Sequence, residues 1–494
     1  MTAVDDTAEN RVTATTAVPT FHGGLANLDD EHSYWIDEVE GAVPAHLEGT
    51  FLRNGPGRQR IGDTPCGHWF DGDGMISAFS FRGGRVHFRN RYVRTPKYVK
   101  EAASERIEYR GFGTMIPGGW RKNFLRLQAN PANTNTIVHG GHVLALYEGG
   151  HPFELDPASL ATRGEFDYDG GLSRAATFSA HPKVHVRTGD MVNFGPGVMG
   201  VGRRGPKMCM NLFRVDASGR LVDRARVPVD VFPFAHDMAL SDRYALVFVN
   251  SILFEGMGRV FLGTTSIADQ VRFAHDRPMQ IAVVDLDTLT EVRRFETEPG
   301  AIIHVGNAYE DGDEVVVDGM WAGDFAANDA LSDVFHTERL GGGSFRRYRL
   351  NLRTGAMSFE QPSDTECEFP TINPAVAGRA NDWTYTACSV DNGANSFFNG
   401  FQKVGIDGVE ELVTLPPGHF GSEPLYAPAT ERRGEDAGYV LEVVYNAVDH
   451  VSELHVFRAA DIGDRLARLT LRHHLPHQFH GFWHDQVLLA DARR

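Results

Sequence analysis

The stretch ALYEGGHPFELDPASLATRGEF, residues 145–166, reads as strand, turn, strand, with Asp and Pro of the DP.SL.T segment supplying the reversal. The same unit recurs in FRRYRLNLRTGAMSFE, residues 345–360, where an N..TG turn joins two strands. Outward from these two, short runs rich in Val, Tyr and Leu and closed by turn residues punctuate the chain. They include HVLALYE (142–148), YALVFVN (244–250), QIAVVDL (280–286), DEVVVDG (313–319) and YVLEVVYN (439–446). Helical windows are scarce, and the best covers about 97–110. Many evenly spaced strands and 53 glycines predict an all-β propeller or a large sandwich. The expected organisation is a flexible arm over 1–25 followed by one β domain over 26–494.

A length of 494 residues suggests about three ordinary domains, but closed repetitive β folds escape that rule. Hydrophobic residues at 42% and charged residues at 23% exclude wholesale disorder and collagen-like order. A net charge of −17 argues against a nucleic-acid partner. Cys66, Cys209, Cys367 and Cys388 lie far apart with no C-x-x-C pair, which argues against a disulfide framework or a thiolate zinc site. A reducing compartment and a cytoplasmic location fit best. The first residues show no basic and apolar leader pattern, and no window of about 18 apolar residues appears, so neither a secretory signal nor a spanning helix is expected. No protein partner is predicted.

Among 22 histidines, His181, His236, His304 and His480 sit at strand edges or turns beside small or apolar residues. Ligands so dispersed meet only if the chain returns repeatedly to one axis, as a propeller does. No local zinc signature such as H-E-x-x-H is present. Histidine alone does not separate these four from His473, His474, His477 or His484.

A resemblance separates them. GTFLRNGPG (49–57), HWFDGDGMI (68–76), RYVRT (91–95), GGW (118–120), ANTN (132–135), SAHPK around His181, HD at His236, CEFP (367–370), SEPLYAP (422–428) and FHG at His480 are collinear with motifs of the carotenoid cleavage oxygenase family. The chain is similar to that family over nearly its whole length from about residue 30. The spacing around RGFGTMIPGGW (110–120) is most like its bacterial apocarotenoid-cleaving members. The resemblance implies a seven-bladed propeller with a cap of loops and short helices over its top face, and one Fe(II) per chain held by His181, His236, His304 and His480. Dioxygen would be the co-substrate. Imidazole nitrogen suits Fe(II), and four neutral ligands leave two of six positions open. The resemblance further implies that Glu148, Glu368 and Glu423 accept hydrogen bonds from His236, His304 and His480 respectively, leaving His181 without a carboxylate.

Phe70, Trp120, Tyr147, Phe234, Ile303 and Trp321 fall near these motifs and are candidates to line a tunnel for a lipophilic substrate, their π faces stabilising cationic character along a polyene. Tyr147 stands where the apocarotenoid-cleaving relatives carry Trp and the lignostilbene-cleaving ones Lys, and Ile303 replaces an aromatic residue. The segment SILFEGMGRVFLG (251–263) is either core or an apolar rim making peripheral membrane contact. Three functions are weighed. The first is an Fe(II) dioxygenase cleaving one C=C bond of an apocarotenoid into two carbonyl products, retinal among the candidates. The second is the same chemistry on a stilbene or phenylpropene. The third is an idle propeller that serves as a binding scaffold.

Overall fold

A computed structural model of the chain describes residues 19–203, 205–390, 397–429 and 434–489. Seven antiparallel sheets of four to six strands stand as the blades of a propeller. The first is built around residues 49–92, and the next six follow in order at 135–165, 183–229, 238–297, 301–360, 367–414 and 419–470. Both chain ends close the ring. His480–His484 pairs with Gly49–Arg58 in the first blade, placing Asn54 opposite His480, and Glu38–Gly41 pairs with Asp461–Thr470 in the seventh. These pairings close the ring by tying the first and last strands into shared blades.

Strands within a blade differ by position, and their residues show it. Tyr244–Val249 and Tyr439–Asn446 are buried along their entire length, because both faces pack against neighbouring blades. Leu221–Val229, an outer strand, alternates half-buried and exposed residues, since one of its faces meets water. The hydrophobic core is consequently a ring of wedges between blades. One wedge joins Phe51, Phe79 and Phe88 of the first blade to Leu441, Leu454 and Leu469 of the seventh. Another joins Leu246 and Ile281 of the fourth to Val305, Val315 and Tyr348 of the fifth.

The two turns that signalled the fold work as their residues require. Asp156 accepts from the backbone N–H and hydroxyl of Ser159, at 2.9 and 2.8 Å. Asn351 accepts from Thr354 N–H at 2.8 Å, and Gly355 takes φ +81°, a left-handed conformation cheap for glycine. The helical window is shorter than 97–110. Pro96–Ser104 is helical, capped by Thr95, and Glu105 ends it at φ +51°. Its Lys97 lies buried between Asp73 at 3.0 Å and Glu101 at 2.9 Å, which fastens the helix to the first blade.

Residues 1–18 of the expected arm lie outside the described residues. Phe21–Leu25, assigned to that arm from sequence, form a 3-10 turn with Phe21 and Leu25 buried. Phe21 stacks on Phe397 at 5.0 Å, so the apolar content of FHGGL outweighs its position near the terminus. Among the described residues no helix is long and apolar enough to cross a membrane.

Candidate metal centre

Each of the seven blades delivers one polar side chain toward the axis. Glu148 follows the second strand of the second blade, His142–Leu146. His181 and His236 precede the first strands of the third and fourth, Lys183–Val184 and Met238–Leu240. His304 lies in Ala301–Asp311 of the fifth, Glu368 in Cys367–Thr371 of the sixth, and Glu423 just before Leu425–Ala427 of the seventh. His480 opens the closing strand of the first. The four histidines converge, each offering a ring nitrogen, and these nitrogens all lie within 4.8 Å of one another.

The outer nitrogens are tied down. His304 Nδ1 meets Glu368 at 2.7 Å, His480 Nδ1 meets Glu423 at 2.9 Å, and His236 Nδ1 meets Glu148. The Glu423 carboxylate also accepts from Gly481 N–H at 2.6 Å. Arg53, wholly buried, donates to the carbonyls of Glu423 at 2.9 Å and Phe479 at 3.1 Å, fixing both sides of this pair. Among the described residues, His181 has no carboxylate within hydrogen-bond distance.

An ionised carboxylate accepts only, so an imidazole paired with one donates through Nδ1–H and, when neutral, turns a bare Nε2 lone pair inward. His236 and His304 bring two such nitrogens within 3.2 Å, and His181 Nε2 lies 3.0 Å from that of His236. Facing lone pairs repel unless a cation sits among them, so this donor set fits a divalent metal preferring imidazole. Burial first, then the other imidazoles, holds His181 and His304 neutral, well below their ordinary range. Burial also lowers His236, but Glu148 beside it raises the imidazole above its ordinary value. The Glu368 carboxyl is pushed up to about 8 by burial, and positive charge at the cluster is what favours its ionised, accepting form.

The cluster lies at the wall of a cavity of about 640 Å³ lined mainly by aromatic and aliphatic side chains. Of the six tunnel candidates, Phe70, Tyr147, Phe234 and Ile303 line it. The strand carrying Ile303 and His304 is bulged between Ile302 and Val305. Ile302 packs in the core wedge while Ile303 faces the cavity. Burial raises the Tyr147 phenol well above its ordinary pKa, so it stays protonated.

Trp120 and Trp321 do not line the cavity. Trp120 stands 51% exposed on the short helix Trp120–Asn123, edge-on to Phe124. Trp321, on the second strand of the fifth blade, packs against the wedge between the fourth and fifth blades, where the Arg346 guanidinium covers its ring at 3.4 Å. Proximity in sequence to a motif does not tell which face of a strand or loop a ring takes.

Other residues contribute that were not singled out. Phe369 packs at 4.9 Å from the His304 ring and 5.3 Å from His480, held at φ +56°, a strained conformation for a non-glycine residue beside a site. Asp71 accepts from the N–H groups of Phe112, Gly113 and Thr114 at 2.5, 2.9 and 2.7 Å, stapling the loop that brings Phe112 to the cavity wall. A buried Asp inside HWFDGDGMI was the available signal for it. The set-aside histidines pin the N-terminal segment: His473 stacks on His32 at 4.1 Å, His474 Nε2 meets the Ala26 carbonyl at 3.2 Å, and His477 Nε2 meets the Phe21 carbonyl at 2.9 Å.

Residues 25–485 match the family model described as retinal pigment epithelial membrane protein. The chain is 34% identical over 471 residues to apocarotenoid-15,15'-oxygenase of Synechocystis sp., covering 93% of this chain and 95% of the relative. It is 27% identical to resveratrol cleavage oxygenase 1 of Aspergillus fumigatus, covering 94% and 95%. The crystal structure of cobalt-substituted Synechocystis apocarotenoid oxygenase superposes with a TM-score of 0.86 at 32% identity, over 94% of this chain and 98% of that one.

Proposed function

From the premise that the chain belongs to the retinal pigment epithelial membrane protein family, which holds carotenoid and apocarotenoid oxygenases, we propose that it is an iron(II)-dependent dioxygenase cleaving one C=C bond of an apocarotenoid. The alkene and one O₂ give two carbonyl fragments, so the atoms balance with no proton donor and no hydrolytic water. Fe(II), when bound, supplies the activation of dioxygen. His181, His236, His304 and His480 would hold it, and Glu148, Glu368 and Glu423 would orient three of those rings and raise their basicity. Phe70, Phe234 and Phe369 form a π-rich wall that takes a rigid polyene, excludes water and offsets positive charge developing along the chain. The single observation carrying this reading is the convergence of four imidazoles at one wall of an aromatic cavity, three with their outer nitrogens already engaged. An idle scaffold has no use for seven polar groups delivered by seven blades.

Incubating iron-loaded protein with an apocarotenal and, separately, a hydroxystilbene, and identifying the carbonyl products, tests the reading. Two aldehydes from the apocarotenal are expected. Cleavage of the stilbene alone would transfer the activity to phenolic substrates, and no cleavage of either would end the proposal.

The rim of the cavity supports access from a lipid surface. Phe261 and Phe232 both line the cavity and stand partly in solvent, joined outside it by Leu262, Phe124, Leu125 at 63% exposed and Leu127 at 77%. Leu125 N–H bonds the Phe261 carbonyl at 2.8 Å, and the buried Arg110 guanidinium donates to the carbonyls of Val260 and Thr265, both at 2.7 Å. Phe124, Leu125 and Leu127 are thereby fixed beside Phe261 and Leu262 as an apolar patch with Arg121, Lys122 and Arg126 exposed around it, suited to peripheral contact with a bilayer around a cytoplasmic enzyme.

A further inference from the structure

Three imidazoles of the cluster own a carboxylate at Nδ1, and the exception has a near neighbour. Asp237, the second residue of the His-Asp pair at 236, places Oδ2 3.9 Å from His181 Nδ1. It is 3% exposed and firmly held. Met238 N–H donates to Oδ1 at 2.7 Å and Val305 N–H to Oδ2 at 2.9 Å. Lys183 Nζ lies 2.9 Å from Oδ1 and 3.1 Å from Oδ2. Residues of the third, fourth and fifth blades thus meet at one carboxylate directly behind His181.

We infer that Asp237 is the positioning carboxylate of His181, acting through its charge across the gap rather than by a direct hydrogen bond, and that Lys183 sets how much of that charge the imidazole feels. The inference rests on the metal-binding reading of the cluster. Negative charge on the Nδ1 side makes Nε2 a stronger donor toward a cation, as the glutamates do for the other three rings. An ammonium on the same carboxylate opposes that effect. His181 would then be the most weakly donating of the four ligands, and its strength would be governed by a charge pair rather than a single acid. The gap separates this arrangement from the others, where contact is made at 2.7 and 2.9 Å.

The two members of the pair predict opposite signs, which a purely structural role does not. Asp237→Asn keeps the shape and removes the charge, and Lys183→Met frees the carboxylate. Co(II) affinity measured by chelator competition, the visible Co(II) absorption bands, and thermal unfolding of the metal-free proteins read the outcome. Expected is a loss of about 10–100-fold in Co(II) affinity for Asp237→Asn, a several-fold gain for Lys183→Met, and displaced absorption bands in both. Weaker binding in both variants, in step with lost melting temperature, would reduce the pair to a fold element and overturn the inference. So would parental affinity in Asp237→Asn. Lys183→Met decides by itself should Asp237→Asn fail to fold. Equal Co(II) binding by the parent and by His480→Ala would instead strike at the metal reading itself.

Discussion

At the axis, the carboxylate of Glu423 accepts from His480 Nδ1 at 2.9 Å and Gly481 N–H at 2.6 Å, and three of the four imidazoles are directed by a carboxylate in this way. At the mouth of the same cavity, Phe261, Leu262, Leu125 and Leu127 expose apolar side chains that carry no directional group. The two ends answer different demands. A metal is held by lone pairs that must point within narrow angles, so its end consumes charge, hydrogen bonds and strained backbone such as Phe369 at φ +56°. A lipophilic substrate is drawn in by area, so its end requires only apolar surface held in place. Substitutions of the four imidazoles should consequently be all or nothing, and those at the rim graded.

The largest effect is expected from replacing a ligand. His236→Ala removes the nitrogen standing 3.0 Å from His181 and 3.2 Å from His304, and no other donor is positioned to replace it. Elemental analysis should find the bound metal lost and turnover at background; full occupancy with parental turnover would remove His236 from the centre.

Next come the glutamates, which act through the rings they hold. Removing such a partner typically costs about 10–100-fold in metal affinity or activity. Glu423→Gln should lie at the high end, because its amide must present oxygen to His480 and then turns N–H against Gly481 N–H. Glu148→Gln, half-buried and with one imidazole to satisfy, should lie at the low end. Metal titration of both variants checks the order, and equal losses would show that the Gly481 contact is incidental.

Rim substitutions come third and separate two phenylalanines that are seven residues apart. Phe261 is partly solvated, whereas Phe254 packs at 5.2 Å from Phe232 and 5.9 Å from Phe234 inside the cavity wall. Phe261→Ser should weaken partition into lipid vesicles, a buried Phe contributing about 1.5–3 kcal/mol. Phe254→Ser should leave partition nearly intact and raise KM. Vesicle sedimentation beside kinetics on a detergent-dispersed substrate distinguishes them, and equal partition losses would merge wall and rim into one surface.

The smallest effect is expected at Tyr147, where the ends meet. On an apocarotenoid its ring is a wall, and Tyr147→Phe should leave kcat/KM almost unchanged. On a phenolic stilbene the lost hydroxyl leaves a buried polar group unpaired at about 1–3 kcal/mol, a loss of roughly 5- to 150-fold in kcat/KM. Measuring kcat/KM on both substrates tests the assignment.

The difference between the two ends also explains how far each was legible. The inner strands were readable because both of their faces are buried, which leaves unbroken apolar runs such as YVLEVVYN over Tyr439–Asn446. Outer strands such as Leu221–Val229 alternate and escaped notice. The histidines and glutamates of the centre stood inside recognisable motifs, and the structure brings all seven to the axis. Tunnel residues had no such signature. Phe70, Tyr147, Phe234 and Ile303 face the cavity and Trp120 and Trp321 do not, although all are apolar residues near a motif.

By itself the sequence determined the strand content and the turns, because those depend on local backbone preference, and its collinear family motifs pointed to the polar residues at the centre. Only the tertiary structure decided that each blade contributes one of the seven polar groups, that the two chain ends share the first and seventh blades, and that Asp237 stands 3.9 Å behind His181. It alone decided that Trp321 turns toward Arg346 and away from the cavity. These are outcomes of packing between blades distant in sequence, where a bulge of one residue at Ile302–Val305 selects which side chain meets the core and which meets the cavity.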